Sequence, residues 1–301
     1  MRKSYDNINN KFPTKDITPD DISNKIKLVS NKKRKKNIKI KKNLGFSNKC
    51  IPLICGPNGL ESLKLGLSFA KFINKLNLNF MRVHIFKPLT FPYRSRQYSE
   101  AGINGIEWIK EIRKQFPSMV LICEITELQH LEILAKNVDI LQIGTRNMQN
   151  FELLRECSKS KMPLILKRHF GSSIRDLLGA AEHILLDGND KLILCERGIV
   201  APHTHRDTSR YMLDIQSIPA IKEITNLPII SDPSHASFWA PWVTPLAKAS
   251  IAAGADGLII ESHPEPSKSK VDPLQPLNYN EFKKLLISLK KIAKADNRQI
   301  I

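Results

Sequence analysis

The 301-residue chain has no apolar run near the roughly eighteen residues a membrane-crossing helix needs, so a helical membrane anchor is not expected. Its first residues are rich in Lys and Asn and lack the apolar stretch of a secretory signal. Cysteine is scarce: five residues, at 50, 55, 123, 157 and 195, odd in number and without a CxxC spacing. That pattern excludes a disulfide scaffold, and because several lie inside apolar runs they read as reduced, mostly buried thiols of a cytoplasmic protein. No GxGxxG follows the first strand-like run, so a dinucleotide-binding fold loses its main support. Acidic residues are outnumbered, 29 against 47 basic ones, for a formal charge of +18. Much of the excess sits in the first fifty residues, densest in NKKRKK (31–36) and KIKK (39–42), and travels with abundant Asn and Ile. Lys, Asn and Ile together are the mark of AT-biased composition, so the charge by itself does not imply a nucleic-acid partner.

What is present is a repeated alternation. From about residue 50, short β-type runs alternate with amphipathic helix-length stretches. The runs are IPLIC (51–55), FMRVHIF (80–86), MVLICEI (119–125), DILQIG (139–144), PLILKR (163–168), KLILCER (191–197), PIISDPSH (228–235) and GLIIES (257–262). Helical periodicity covers 61–76, 105–116, 173–186, 245–254 and about 280–295. Near-continuous apolar strands imply a parallel sheet buried on both faces. Eight such units over about 250 residues fit an α/β (β/α)8 TIM barrel, with a doubly wound open sheet as the alternative. Residues 1–45 are expected to be a basic, weakly structured extension, and 46–301 the catalytic barrel.

In such a barrel, chemistry gathers where the strands end, and these strands end in charge. Arg82, Lys87, Arg146, Lys167 and Arg197 form a cationic group suited to a small substrate with several anionic groups. Glu124 lies near the end of the third run, while Arg168 ends the fifth and Glu196 lies at the end of the sixth. His235, Glu261 and Asp272 supply one imidazole and two carboxylates, a set suited to Mn, Fe or Zn. A hydrogen-bonded polar network at the barrel mouth is the other reading of the same three residues.

These residues sit in ICGPNGLE (54–61), KPLTFPY (87–93), LQIGTRNMQNF (141–151), LILKRHF (164–170), LILCERG (192–198), DPSHA (232–236) and IIESHPEP (259–266). In their order and spacing the segments resemble the 3-deoxy-D-arabino-heptulosonate 7-phosphate (DAHP) synthases, type I-beta branch, relatives of the 3-deoxy-D-manno-octulosonate 8-phosphate (KDO8P) synthases. The resemblance implies a transferase that condenses phosphoenolpyruvate with erythrose 4-phosphate and water, the first step of the shikimate pathway to chorismate and the aromatic amino acids. It implies a cytoplasmic homodimer or homotetramer with no membrane partner. Substrate binding would fall to Arg82, Lys87, Pro88, Thr90, Arg146, Lys167 and Arg197. Lys87, Glu124 and His235 would be catalytic, and His235, Glu261 and Asp272 would be metal ligands. LQIGTRN and LKRHF look like the DAHP branch, and a KDO8P-type condensation with another phosphorylated aldose is kept as the alternative. An impaired barrel that only binds phosphoenolpyruvate is a further reading.

Four departures from the family pattern stand out. The fourth metal-ligand position, a Cys in the family, is Asn58, and a neutral amide binds these metals less well than a thiolate. Metal-independent catalysis, a weakened three-ligand site, and substitution by Cys55 all remain open on the residues alone. Leu89 stands where the family has an Arg for the aldehyde's phosphate, with Arg94 and Arg96 nearby. Val83-His84 replaces a Gly pair. SFWA (237–240) replaces a Gly- and Arg-rich stretch.

Overall fold

The computed structural model describes residues 25–33, 37–87, 100–202 and 211–301. Eight strands close into a parallel barrel: β1 (Leu53–Gly56), β2 (Phe80–Arg82), β3 (Val120–Ile125), β4 (Ile140–Ile143), β5 (Leu164–Lys167), β6 (Leu192–Glu196), β7 (Ile229–Ser231) and β8 (Leu258–Glu261). Each lies in one of the eight apolar runs, and β8 pairs with β1 to complete the circle. The outer layer contains α1 (Leu63–Lys75), α2 (Gly105–Gln115), α3 (Leu131–Asn137), α4 (Phe151–Lys159), α5 (Ile174–Leu186), α6 (Ser217–Ile224), α7 (Pro233–Ser237), α8 (Ala240–Ala252) and α9 (Tyr279–Ala295). The open-sheet alternative is thereby set aside.

The helices start where side chains can satisfy their first amides. Ser62 accepts from Leu65 at α1, and Ser173 with Asp176 and Asn278 with Glu281 form capping boxes at α5 and α9. Helix α8 begins five residues before the expected Pro245, which lies inside it. The short helices α3, α4 and α6 carry too few turns for a clear periodic signal.

Two apolar layers result from the period-2 alternation of each strand. One set of side chains packs outward against the helices. The other fills the barrel: Ile54, Phe80, Val120, Ile122, Ile140, Ile165, Ile193, Cys195, Ile230 and Ile259. This inner cluster also contains Ile38 and Phe46, which belong to an antiparallel hairpin, Ile38–Lys41 with Leu44–Phe46. The Phe46 ring meets the Phe80 ring edge-on at 6.1 Å between centroids. Lys41 donates to the carbonyls of Pro117 and Met119, just before β3. The hairpin therefore plugs the end of the barrel where the strands begin.

Residues 25–33 are also packed. Glu182 of α5 accepts from the Leu28 and Val29 amides, both at 2.9 Å, and Thr225 donates to the Val29 carbonyl at 2.6 Å. A weakly structured extension reaching to residue 45 is thus corrected for 25–33 and 37–45. Their Ile, Val and Phe residues are too few to give a periodic signal, yet they bury against surfaces the barrel already presents. Residues 1–24 lie outside the described chain. The far terminus is tied to the same end, with Gln299–Ile300 pairing with Cys50–Ile51.

Candidate active site

The inner alternation continues past the last apolar residue of each strand and becomes polar. Ile54 leads to Asn58, Phe80 to Arg82 and His84, Ile122 to Glu124, and Ile140 to Gln142. Ile165 leads to Lys167, Cys195 to Arg197, Ile230 to Asp232, and Ile259 to Glu261. All of these polar residues are buried. Side chains one position out of phase face the helices. Arg168 pairs with Glu196 at 2.9 Å and Asp214 at 2.8 Å, so these strand-end charges brace the β5 and β6 loops and do not enter the mouth. Cys55 is also out of phase; its thiol reaches the Phe80 carbonyl at 3.5 Å within the outer apolar layer. It cannot replace a ligand at Asn58.

Gly56 sets up the first corner. Its φ is +148°, and a Cβ there would lie 2.7 Å from the Arg82 carbonyl. The close approach lets Arg82, 1% exposed, donate to the carbonyls of Pro57 and Gly56 at 3.1 Å each. Arg82 Nη2 also lies 3.3 Å from Glu261 Oε2, while its Nη1 is buried with no protein partner. Arg197 is similar. One nitrogen donates to the His235 carbonyl at 3.2 Å, the guanidinium lies 4.3 Å from the Tyr211 ring centroid, and Nε and Nη1 have no protein partner. Buried guanidinium donors are costly to leave unpaired, and these two cations leave three such nitrogens in one mouth.

The remaining groups form a continuous network. Lys167 donates to Asp232 at 2.5 Å. Asp232 also lies 2.8 Å from His235 Nδ1 and caps α7 by accepting from the His235 amide at 3.0 Å. Burial alone would raise the Asp232 carboxyl, but His235 and Lys167 outweigh it and hold it well below the usual carboxylate range. Burial keeps His235 neutral against the pull of Asp232, helped by Lys167 and Arg82. Asn58 is the hub: its oxygen accepts from Lys87 at 2.7 Å and lies 3.2 Å from His235 Nε2, and its amide donates to Asp272 at 2.8 Å. Asp272 is held at φ 48°. Burial lowers the Lys87 ammonium, opposed by Glu124 and Asp272. Glu261 accepts from Gln275 at 2.5 Å, and burial raises its carboxyl to about 7 in spite of Arg82.

This arrangement bears on the expected metal. Asn58 offers a neutral oxygen that already accepts from an ammonium, Asp272 accepts from the Asn58 amide, and Glu261 Oε2 accepts from Gln275 and pairs with Arg82. Glu261 Oε1 is buried without a protein partner, but a divalent ion there would sit beside Lys87 and Arg82. Among the described residues, no group of three or more His, Cys, Asp or Glu side chains is arranged to hold a metal ion. His235, Glu261, Asp272 and Asn58 come together as a hydrogen-bonded network, and the neutral amide of Asn58 beside two cations fits Mn, Fe or Zn poorly.

Arg146 lies in the short turn Thr145–Asn147 after β4. Together with Arg197 it lowers the neighbouring His169, after burial, which is the larger cause. Pro88, Leu89, Thr90, Arg94 and Arg96 lie outside the described residues. Phe238 and Trp239 are half-buried at the junction of α7 and α8, where Phe238 takes φ 52°. Sequence reasoning missed Gln142, His84 as a site residue, and Gln275. Gln142 had a signal, as the one polar residue inside the apolar run DILQIG.

A closed parallel barrel with buried, under-partnered guanidinium groups and two lysines at its C-terminal mouth defines a (β/α)8-barrel enzyme for a small polyanion. The model of the DAHP synthetase I family matches residues 29–297, and the chain belongs to that family. It is 38% identical over 250 residues to the phospho-2-dehydro-3-deoxyheptonate aldolase of Thermotoga maritima, covering 83% of this chain and 72% of the relative. It is 29% identical over 259 residues to the 2-dehydro-3-deoxyphosphooctonate aldolase of Desulfotalea psychrophila, covering 81% and 90%. The crystal structure of the Thermotoga maritima DAHP synthase superposes with a TM-score of 0.82 at 34% identity, over 89% of this chain and 76% of that one. Its truncated form gives 0.82 at 34%, over 92% and 100%. No helix among the described residues is long and apolar enough to cross a membrane.

Proposed function

We propose that the chain is a DAHP synthase, condensing phosphoenolpyruvate with erythrose 4-phosphate and water to give DAHP and phosphate at the head of the shikimate pathway. The observation that carries the reading is the pair of buried guanidinium groups, Arg82 and Arg197, with donors left over for a ligand. Arg82, Arg146, Lys167 and Arg197 hold the phosphate and carboxylate of phosphoenolpyruvate, and Pro88 and Thr90 are assigned to substrate binding by the family pattern alone. Lys87, held on Asn58, faces the aldehyde oxygen and supplies its proton. His235, fixed by Asp232, adds to the same polar surface. C3 of phosphoenolpyruvate attacks the aldehyde carbon, and the C2 cation takes up water. Glu124 accepts a proton of that water, and phosphate departs by C2–O cleavage. No metal enters these steps, and turnover is expected without one.

A product of seven carbons requires a four-carbon aldose phosphate, and one of eight a five-carbon aldose phosphate. The test is phosphate release from phosphoenolpyruvate with each aldose phosphate in turn. A kcat/KM at least about tenfold higher with erythrose 4-phosphate supports the reading, tenfold corresponding to about 1.4 kcal/mol in the barrier. A preference for the five-carbon aldose would move the assignment to the octulosonate branch, and binding of phosphoenolpyruvate without turnover would mark an impaired barrel. Homodimeric or homotetrameric assembly in the cytoplasm belongs to the same reading, and light scattering checks the assembly.

A further inference from the structure

His84 stands where the family pattern has the second glycine of a pair, and the structure turns its side chain into the barrel. It is 1% exposed. Its carbonyl accepts from the Leu60 amide at 2.7 Å, which anchors the segment against the loop after β1. Its ring spans two neighbouring strands. Nδ1 accepts from the Glu124 backbone amide at 2.8 Å. Nε2 lies 3.2 Å from the Gln142 side-chain nitrogen and 4.0 Å from Glu124 Oε2. Gln142 in turn donates to Glu124 Oε2 at 3.1 Å.

The carboxylate of Glu124 is therefore confined on several sides. Gln142 holds one oxygen, the imidazole backs that oxygen, and the other oxygen lies over Gly144, where a Cβ would be 2.0 Å away. The charged groups around the ring are Arg82 and Lys87 on its own segment, Glu124 on β3 and Lys167 on β5, with the titratable His235 on α7. Burial, then Arg82, Lys87 and Lys167, keep the ring neutral. A neutral ring that accepts at Nδ1 carries its proton on Nε2, so the hydrogen bond it makes to the Glu124 strand is the one at Nδ1.

We propose that His84 is a positioning residue for Glu124. It pins the backbone of Glu124 through Nδ1, and its ring packs beside the Gln142–Glu124 pair, so that the carboxylate keeps one orientation toward the reacting centre. A glycine at this position could make neither contact. The inference rests on the proposed role of Glu124 as the acceptor of the water proton.

The test uses the full chain, with kcat and KM for phosphoenolpyruvate measured from about pH 5.5 to 9.5, a span that brackets general acid–base titration. His84→Leu keeps volume and removes the hydrogen bond to the Glu124 amide. It is expected to lower kcat about tenfold, in line with losing the buried hydrogen bond that fixes Glu124, and to move the acidic limb of the pH profile. KM should change by less than about twofold, since ground-state binding is untouched. His84→Asn restores an acceptor for the Glu124 amide and should recover most of kcat. In a Glu124→Gln background, His84→Leu should cost almost nothing further. Wild-type kcat and pH profile in His84→Leu, or an equal loss in the Glu124→Gln background, overturns the proposal and leaves His84 as core filling. Unchanged turnover in Glu124→Gln alone overturns instead the role given to Glu124, so the two failures are distinct. Should His84→Leu not fold, nitrogen NMR of the wild-type ring decides: a neutral imidazole with its proton on Nε2 supports the proposal, and a proton on Nδ1 refutes it.

Discussion

Asp232 offers the sharpest test of how the site is held together. The side chain is 0% exposed and pairs with Lys167 at 2.5 Å and His235 Nδ1 at 2.8 Å. In Asp232→Asn the amide oxygen can still cap α7, so little helix stability is lost. The Lys167 ammonium, however, is left buried without its counter-charge. Removing one partner of a buried pair costs about 3–5 kcal/mol, and a chain of this size loses about 2–3 °C of Tm per kcal/mol. The drop should therefore be roughly 6–15 °C in thermal unfolding followed by circular dichroism at neutral pH. Lys167→Met in the same chain removes the stranded charge and keeps the length of the side chain, so the double variant should regain most of the lost stability. Both variants should remain without turnover, because Lys167 is gone from the anion site in one and misplaced in the other. The pH dependence has a definite sign: the folded Asp232 carboxyl is depressed, so its contribution is present above the ordinary carboxylate range and disappears as pH falls through the folded value. The gap between wild type and Asp232→Asn should close in acid. A single variant within about 2 °C of wild type, well under the change expected for a broken buried pair, would refute the reasoning. So would a double variant less stable than the single one.

The metal misfit predicts that phosphate release survives an excess of EDTA and that added Mn2+ leaves the rate unchanged; loss of activity on chelation would show that the Asn58 network opens to admit an ion. Lys87→Ala removes the ammonium bound to Asn58 and should lower kcat by at least about a hundredfold, the scale of one positioned charge in the transition state, in a steady-state assay. Phe46→Ala takes a ring from the plug of the barrel and should destabilise by about 3–5 kcal/mol, read from urea unfolding; a near-neutral effect would mean that the hairpin is not part of the core. Glu261 has its folded carboxyl raised from 4.5 to about 7, so the native state holds a proton that the unfolded chain has released. Its contribution therefore makes stability fall as pH rises through that window, and Glu261→Gln should flatten the slope in thermal unfolding.

Much of the site was legible because two periodicities coincide. Each strand could be found from a short apolar run, and the charged residues just beyond it could be named. Arg82, Lys167 and Glu261 were within reach on those grounds. The phase of the alternation was the harder part. Lys167 and Arg168 are adjacent in PLILKR, yet one enters the mouth and the other braces a loop with Glu196 and Asp214. Residue type does not separate them; only the phase of Ile165 inside the barrel does. His84 was visible as a departure from the family's pattern, but its contact with Glu124 spans 40 residues of sequence, and no local signal reports such a pairing.

The chain by itself determined the eight apolar strands, the amphipathic stretches that cover them, and the types of charge delivered to one end. These follow from local patterns that any window of the sequence displays. Which committed partner each charge finds was decided only by closure of the barrel. Asn58 reaches Lys87 and Asp272, the latter 214 positions away, because β8 pairs with β1. The same closure makes a metal-like set of residues into a hydrogen-bonded network, and it gives the hairpin an open end to plug. The physical reason is that a buried charge takes its stability from neighbours within a few ångströms, and those neighbours are fixed by topology.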